Sequence, residues 1–175
     1  AKGIRQTLGR DSREAVAKVG IKWPNDIVVD GKKVCGILTE MSMEQGYIHH
    51  IVIGVGINVR RQEFSEEIRE RAAAIDEQCG FRISRSQLIA DIMEAFEEDY
   101  EIFLQTHDLK GLRDSYAKLL LNQDREVCVL DPKGEYRGIA RGINDQGELI
   151  VERQDGTVEE VYAGEVSVRG IYGYV

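Results

Sequence analysis

The sequence predicts an α+β protein in two parts, a region of strands and helices over residues 1–123 and a small antiparallel β unit over residues 124–175. Three observations predict it. Between Ile21 and Val59, apolar runs with strand character are set off by Asn, Asp and Gly turn signals. From Phe64 the apolar period lengthens to about 3.6 residues. After Asn122, short alternating runs are separated by regularly spaced turn residues, the pattern of a small antiparallel barrel or sandwich.

Taken in order, Ile4 and Leu8 mark one face of a helix over Ala1 to Leu8, with Gly9 as its stop. Asp11-Ser12 offers an N-cap for a second short helix carrying Ala15, Val16 and Val19, ended by Gly20. Pro24 keeps Trp23 out of helical backbone, and Asn25-Asp26 favours a turn, so Lys22 is presented from a fixed strand end. Ile27 to Val29 resumes the strand, Asp30-Gly31 is a two-residue hairpin signal, and Lys33 to Met41 returns. Tyr47 to Val59 is apolar on both faces around Ile51-Val52-Ile53, which predicts a central, covered strand.

Phe64, Ile68, Ala72 and Ile75 then predict a helix that Gly80 terminates. Ser84 and Gln87 form an S-x-x-Q capping signal for a long helix, whose stripe of Leu88, Ile92, Phe96, Tyr100 and Phe103 is expected in the core. A further helix from Asp108 carries Leu109, Leu112, Tyr116 and Leu119. Five strands follow, over 126–130, 136–143, 148–153, 158–162 and 166–171, separated by Asp131-Pro132-Lys133-Gly134, Asn144-Asp145-Gln146-Gly147 and Asp155-Gly156.

Composition narrows the function classes. With 175 residues and 42% hydrophobic content the chain can hold one full-sized domain and a small one. A net charge of -8 and a pI near 5.0 oppose non-specific nucleic-acid binding, which relies on clustered lysine and arginine. No apolar run has the length of a membrane span and no signal-peptide pattern opens the chain, so a cytoplasmic setting is expected. Cys35, Cys79 and Cys128 are far apart and read as reduced, buried thiols. The chain opens on Ala1 in mid-pattern and reads as part of something longer.

Three segments carry the chemistry. Lys22 stands at a strand end beside Trp23-Pro24, and an ammonium there suits a phosphate or carboxylate and the charge that develops in phosphoryl or acyl transfer. Asp26 would hold that lysine or help orient a metal, or Asn25-Asp26 is only a turn. Glycine inside a strand marks close approach of a ligand or of another backbone, and for Gly54 and Gly56 both explanations stand. Asn58 offers a donor and an acceptor to a base edge or carboxamide. In Gly54-Val55-Gly56-Ile57-Asn58-Val59 the third glycine of a dinucleotide fingerprint is replaced by Val59, and no phosphate-binding G-x-x-x-x-G-K-[ST] occurs. His49, His50 and His107 have no triad partners in view, and the acidic run Glu97-Glu98-Asp99 reads as a solvated helix face with no metal site.

Lys22-Trp23-Pro24-Asn25-Asp26-Ile27, Gly31-Lys32-Lys33, Gly36-Ile37-Leu38-Thr39-Glu40 and Gly54-Val55-Gly56-Ile57-Asn58-Val59, in this order, resemble the motifs of the biotin protein ligases. The likeness continues through Gly138 to Leu149 and Gly164 to Arg169, similar to that family's C-terminal domain. It implies part of a class II aminoacyl-tRNA-synthetase-like mixed sheet with helices, followed by an SH3-like β-barrel. It also implies a two-step reaction: biotin and MgATP form biotinyl-5′-AMP, and the biotinyl group then passes to a lysine of a biotin carboxyl carrier protein. Matched onto the motifs, Lys22 would contact the biotin carboxylate and the α-phosphate, while Gly54 and Gly56 would admit the biotin rings. Asn25, Asp26, Ile57 and Asn58 would serve ATP, with Asn58 at the adenine, and Ile37, Leu38 and Ile57 would exclude water.

The family's glycine- and arginine-rich loop precedes the K-W-P-N-D segment, and nothing like it, nor the DNA-binding domain of its repressor members, occurs here. Weak binding of biotin and ATP by this chain alone, or none, and no DNA binding, are therefore expected. Two other readings are a non-catalytic fragment for dimerisation or carrier docking, and a lipoyl or octanoyl transferase.

Overall fold

The computed structural model describes residues 1–131, 134–162 and 167–170, the last four by backbone alone. It is an α+β molecule with two antiparallel sheets, of order β1-β2-β3-β4 and β8-β7-β6-β5-β9. The first comprises β1 (Val19–Lys22), β2 (Asp26–Val29), β3 (Lys32–Glu44) and β4 (Tyr47–Ile57). It was expected to be mixed, but its ladders are all antiparallel; parallel pairing is confined to isolated bridges at Ile21 with Leu120 and Lys33 with Ala72. The Trp23-Asn25 turn makes β2 run back along β1 instead of resuming it. Gly20 lies inside β1 and does not end a helix. Asp30 and Gly31 both take positive φ, as a two-residue hairpin turn requires.

Two helices cover one face of this sheet. α1 (Lys2–Gly9) buries Ile4 and Leu8, and α2 (Arg13–Ala17) starts at Ser12, whose hydroxyl accepts from the Ala15 amide. α1 packs on α4 (Arg85–Thr106) so closely that a Cβ on Gly3 would lie 2.5 Å from the Ile92 Cα. Asp91 of α4 is buried between them, accepting from Thr7 Oγ1 (2.7 Å), Arg10 (2.8 Å) and Gln87 Nε2 (2.8 Å). Its carboxyl sits below the usual carboxylate range: burial alone would raise it, but these donors outweigh burial. Ser84 caps α4 through the Gln87 amide; the Gln87 side chain turns to Asp91 and does not close a capping box.

Two helix expectations change. Residues 64–74 are irregular, and only α3 (Ile75–Cys79) is helical, closed by Gly80 in left-handed backbone as expected. The last helix is likewise short, α5 (Arg113–Ala117). The aromatic stripe of α4 is not core: Phe96 and Tyr100 are 47% and 48% exposed and stack on each other, while Leu88, Asp91 and Ala95 face inward. With 22 residues against eight in α1, α4 spans about 33 Å and α1 about 12 Å, so its neighbour covers only part of it.

β4 departs most from expectation. It was predicted to be central and covered, but it pairs with β3 alone and forms the sheet edge, with Tyr47, Ile51, Ile53 and Val55 between 48% and 68% exposed. At the opposite edge β1 is sheltered: the Ile21 amide donates to Leu119 O at 2.7 Å and Leu121 donates to Ile21 O at 2.8 Å.

The second sheet contains β5 (Glu126–Leu130), β6 (Tyr136–Ile143), β7 (Leu149–Glu152), β8 (Val158–Val161) and β9 (Ser167–Gly170). Alternating Val127, Val129, Ala140, Leu149 and Val151 form its core. The turns at Asn144–Gly147 and Asp155–Gly156 fall where their residues predict, with Asn144 Oδ1 accepting from the Gln146 and Glu148 amides. Among the described residues β8 and β9 are not paired, so the ladder does not close into the expected barrel. Pro132-Lys133 of the first turn, Gly164-Glu165-Val166 and the predicted strand end at Ile171 lie outside the described residues. Among the described residues no helix is long and apolar enough to cross a membrane.

Candidate functional site

The strand register assembles the three motif segments. Lys22 lies opposite Asp26, Asp26 opposite Gly36, and Gly36 opposite Gly56, one residue from each strand in a row across the sheet. Directly opposed residues share a face, so the row is a charged half followed by a glycine half. The adjacent row on the other face, Ile21, Ile27, Cys35 and Ile57, packs into the helix-covered core. Cys35 belongs there: burial pushes its thiol up, and it is an apolar filler instead of a nucleophile.

Lys22 and Asp26 are held in rigid surroundings, only 8% and 7% exposed. The neighbouring Trp23 points away from the row into the core of the second sheet, with its Nε1 donating to Gly147 O at 2.9 Å. Asn122 Oδ1 accepts from the Trp23 amide at 3.3 Å. The tryptophan thus bolts the strand end to the second sheet, which fixes where Lys22 emerges. Asn25 clips the turn onto β3, donating from Nδ2 to Ile37 O at 2.7 Å and receiving the Ile37 amide at 3.0 Å.

The glycines divide by cause. A Cβ on Gly20 would meet the Leu121 side chain at 2.5 Å, so close packing explains that residue. At Gly54 and Gly56 a Cβ would lie 3.6 Å from Leu38 O and 3.8 Å from Gly36 O, ordinary contacts, and neither glycine has positive φ. Nothing within the described residues therefore requires glycine at 54 and 56. Together with Asn25, Lys33 and Gly36 they line an open depression of about 490 Å³.

Beside it lies a second cavity of about 680 Å³, lined by Lys33, Asn58, Gln62, Phe64, Ile68 and Arg71. Asn58 is half-buried at its rim; its amide donates to Val34 O, its carbonyl receives the Ile75 amide, and its Oδ1 accepts from Gln62 at 3.1 Å. Of the residues expected at the site, Lys22, Asp26 and Gly56 share the row, Gly54 and Asn25 flank it, and Asn58 borders the neighbouring cavity. Ile57 is not with them: it faces the first core, as does Ile37, while Leu38 is 62% exposed.

Lys33 is the residue that sequence reading passed over. Its Nζ lies 2.5 Å from Asp26 Oδ1, and it lines both cavities. A register shift between Ile27 and Val28 inserts Val34 as an extra residue in β3. Residues 33 and 36, three apart, would otherwise point to opposite faces; the bulge places both on one. The sequence signal was the lysine pair Lys32-Lys33 before Gly36, whose geometry the bulge conceals. His49 stands near the hairpin tip beside Glu44, and His107 caps α4.

Comparison with known proteins agrees with this arrangement. Residues 2–58, which include all three motif segments, match the Biotin/lipoate A/B protein ligase family, and residues 124–169 match the Biotin protein ligase C terminal domain. The bifunctional ligase/repressor BirA of Bacillus spizizenii is 37% identical over 85% of this chain and 46% of its own length. The biotin–[acetyl-CoA-carboxylase] ligase of Mycobacterium tuberculosis is 31% identical over 86% of this chain and 53% of its own. The apo structure of biotin protein ligase from Aquifex aeolicus superposes with a TM-score of 0.78 at 26% identity, covering 96% of this chain and 71% of that one. The same enzyme in complex with biotin and ATP gives 0.73 at 26% identity, over 97% and 72%. The chain belongs to the biotin protein ligase family. It spans about half the length of the curated relatives it matches.

Proposed function

We propose that this chain supplies one wall of a biotin protein ligase active site. In the first step a biotin carboxylate oxygen bonds to the α-phosphorus of ATP. The α–β bridging P–O bond breaks and pyrophosphate leaves with the electron pair, giving biotinyl-5′-AMP. In the second, the neutral amine of a carrier-protein lysine attacks the acyl carbon; AMP leaves and the amine loses its proton.

The cross-strand row from Lys22 to Gly56 carries this reading. A rigidly backed lysine at one end suits an anionic reacting centre, where negative charge is exchanged between carboxylate, phosphate and leaving group. Gly54 and Gly56 at the other end let the biotin ring system lie against the strand. Asn58, at the neighbouring cavity, supplies the donor and acceptor that an adenine edge needs. The proximity of both cavities to the row supports joining two ligands there. Asn25 and Asp26 shape the site, and Ile57 acts from the core side by backing β4.

Mg²⁺ accompanies the triphosphate in this reading and neutralises its charge. Among the described residues no group of three His, Cys, Asp or Glu converges on the row, and Asp26 is engaged by Lys33. The ion would be held mainly by phosphate oxygens and water, as is usual where Mg²⁺ accompanies a nucleoside triphosphate. Residues 1–123 read as part of a class II synthetase-like catalytic domain and 124–175 as an SH3-like domain joined to it by Trp23. The acceptor is a biotin carboxyl carrier protein in the cytoplasm. A second reading, association through the hairpin, is favoured by the exposed apolar edge of β4; sedimentation that finds a monomer at high concentration rejects it.

The test titrates ¹⁵N-labelled chain with biotin. Shifts should concentrate at Leu38, Gly54 and Gly56, with affinity weaker than micromolar because the depression is open; unmoved glycine resonances at millimolar biotin reject the reading. Incubation with ATP, Mg²⁺ and carrier protein, probed for biotinylated lysine, then measures transfer, and Lys22→Ala should abolish whatever is formed.

A further inference from the structure

The junction between the two cavities has no role in the reaction as drawn above, and Lys33 stands there. It is the residue common to both linings, one containing Gly54 and Gly56 and the other Asn58. Its backbone is clamped from two sides: Val28 pairs with it in the sheet, its amide donates to Arg71 O at 2.7 Å, and its carbonyl receives the Ala73 amide at 3.0 Å. The side chain, 38% exposed, reaches across the bulge to Asp26 and lies over Gly36. A Cβ on Gly36 would come within 3.1 Å of the Lys33 Cε and Nζ, so a side chain there would push the ammonium aside by a few tenths of an ångström. The bulge and the glycine both act on this one side chain.

Charge adds to geometry. Lys22 opposes Asp26 in the register and Lys33 pairs with its carboxylate, so two basic residues and one acidic residue stand together where acid side and nucleotide side meet. An ammonium carries three donors, and one contact to Asp26 does not exhaust it. We propose that Lys33 is a second phosphate-binding lysine, which holds the triphosphate at the junction while Asp26 acts as its positioning residue. This rests on the ligase reading. In the adenylation step Lys33 faces the pyrophosphate side and stabilises the charge that gathers as the α–β bridge breaks, whereas Lys22 serves the carboxylate.

The experiment follows amide shifts of the labelled chain in separate titrations with biotin, ATP and inorganic pyrophosphate. ATP and pyrophosphate should move Lys33 and Gly36, and ATP also Asn58. Lys33→Met should weaken ATP and pyrophosphate by about ten- to a hundredfold, the loss expected for a charged hydrogen bond. It should leave the biotin shifts at Gly54 and Gly56 in place. Lys33→Arg should recover most of the affinity and the salt dependence that Lys33→Met removes. Gly36→Ala, which moves the ammonium without removing it, should weaken ATP by a few fold, and it carries the test if Lys33→Met fails to fold. Unchanged ATP and pyrophosphate affinity in Lys33→Met, with biotin still binding, overturns the role of Lys33 alone. Failure of all three ligands to move the row overturns the ligase reading and this inference together.

Discussion

Both strands of the β1–β2 hairpin are buried along their whole length, whereas the β3–β4 hairpin, in the same sheet, is exposed over 38–44 and 47–56. Helices cover one face of the first hairpin, residues 119–121 line its edge, and Trp23 extends from its turn into the second core. Among the described residues the outer part of the second hairpin has none of these neighbours. The charged half of the row thus sits where the backbone is fully supported, and the glycine half where the surface is open to another molecule. In the reaction proposed above, a lysine that meets developing charge would gain from rigid backing, since a preorganised group needs little rearrangement during reaction. A floor that admits a ring system would gain from bare backbone.

Four substitutions test that contrast, and the largest effect is expected at Trp23. Trp23→Ala removes the bolt from the buried hairpin to the second sheet and should cost about 3–5 kcal/mol. Denaturant unfolding of the variant should separate into two transitions; one unchanged transition would show that the sheets do not depend on this residue.

Asp91→Asn loosens the helical layer over the buried hairpin and should cost about 1–3 kcal/mol at neutral pH. The folded carboxyl lies below its unfolded value, so its contribution is complete above about pH 4 and disappears as pH falls through the folded value. Denaturation midpoints of wild type and variant should therefore converge in acid; a constant gap would exclude the titration of Asp91 as the cause.

Two glycines of opposite cause complete the comparison, and the smallest effect on stability is expected at Gly54. Gly20→Ala drives a methyl group into Leu121 and should cost about 1–3 kcal/mol. Gly54→Ala meets only ordinary contacts and should be neutral or stabilising by up to about 1 kcal/mol. It should nevertheless weaken biotin binding in the same titration. Equal destabilisation by both would mean that Gly54 is there for packing.

Much of this architecture was legible because its causes are local. The Asp30-Gly31 turn, the Ser12 and Ser84 caps and the Gly80 stop each depend on a residue and its nearest neighbours, and each stands where its chemistry predicts. The second sheet was readable for the same reason, with turn residues that set register at short range. The phase of α4 was not, because its inward face is decided by Gly3 and Thr7, more than 80 residues away. Residues 64–74 kept an apolar spacing without forming a helix: Arg71 and Ala73 instead bond to Lys33.

The sequence alone determined the family motifs, their order, and that a lysine, an asparagine, an aspartate and two strand glycines belong together. Those are matters of residue type and short-range backbone preference. Tertiary structure decided which faces they occupy. Pairing across four strands aligns Lys22, Asp26, Gly36 and Gly56, a single bulge turns Lys33 into their company, and the same alternation sends Ile57 into the core. Strand side chains alternate with period two, so one inserted residue reverses every face beyond it, and only the hydrogen-bonded register of the folded sheet shows where that happens.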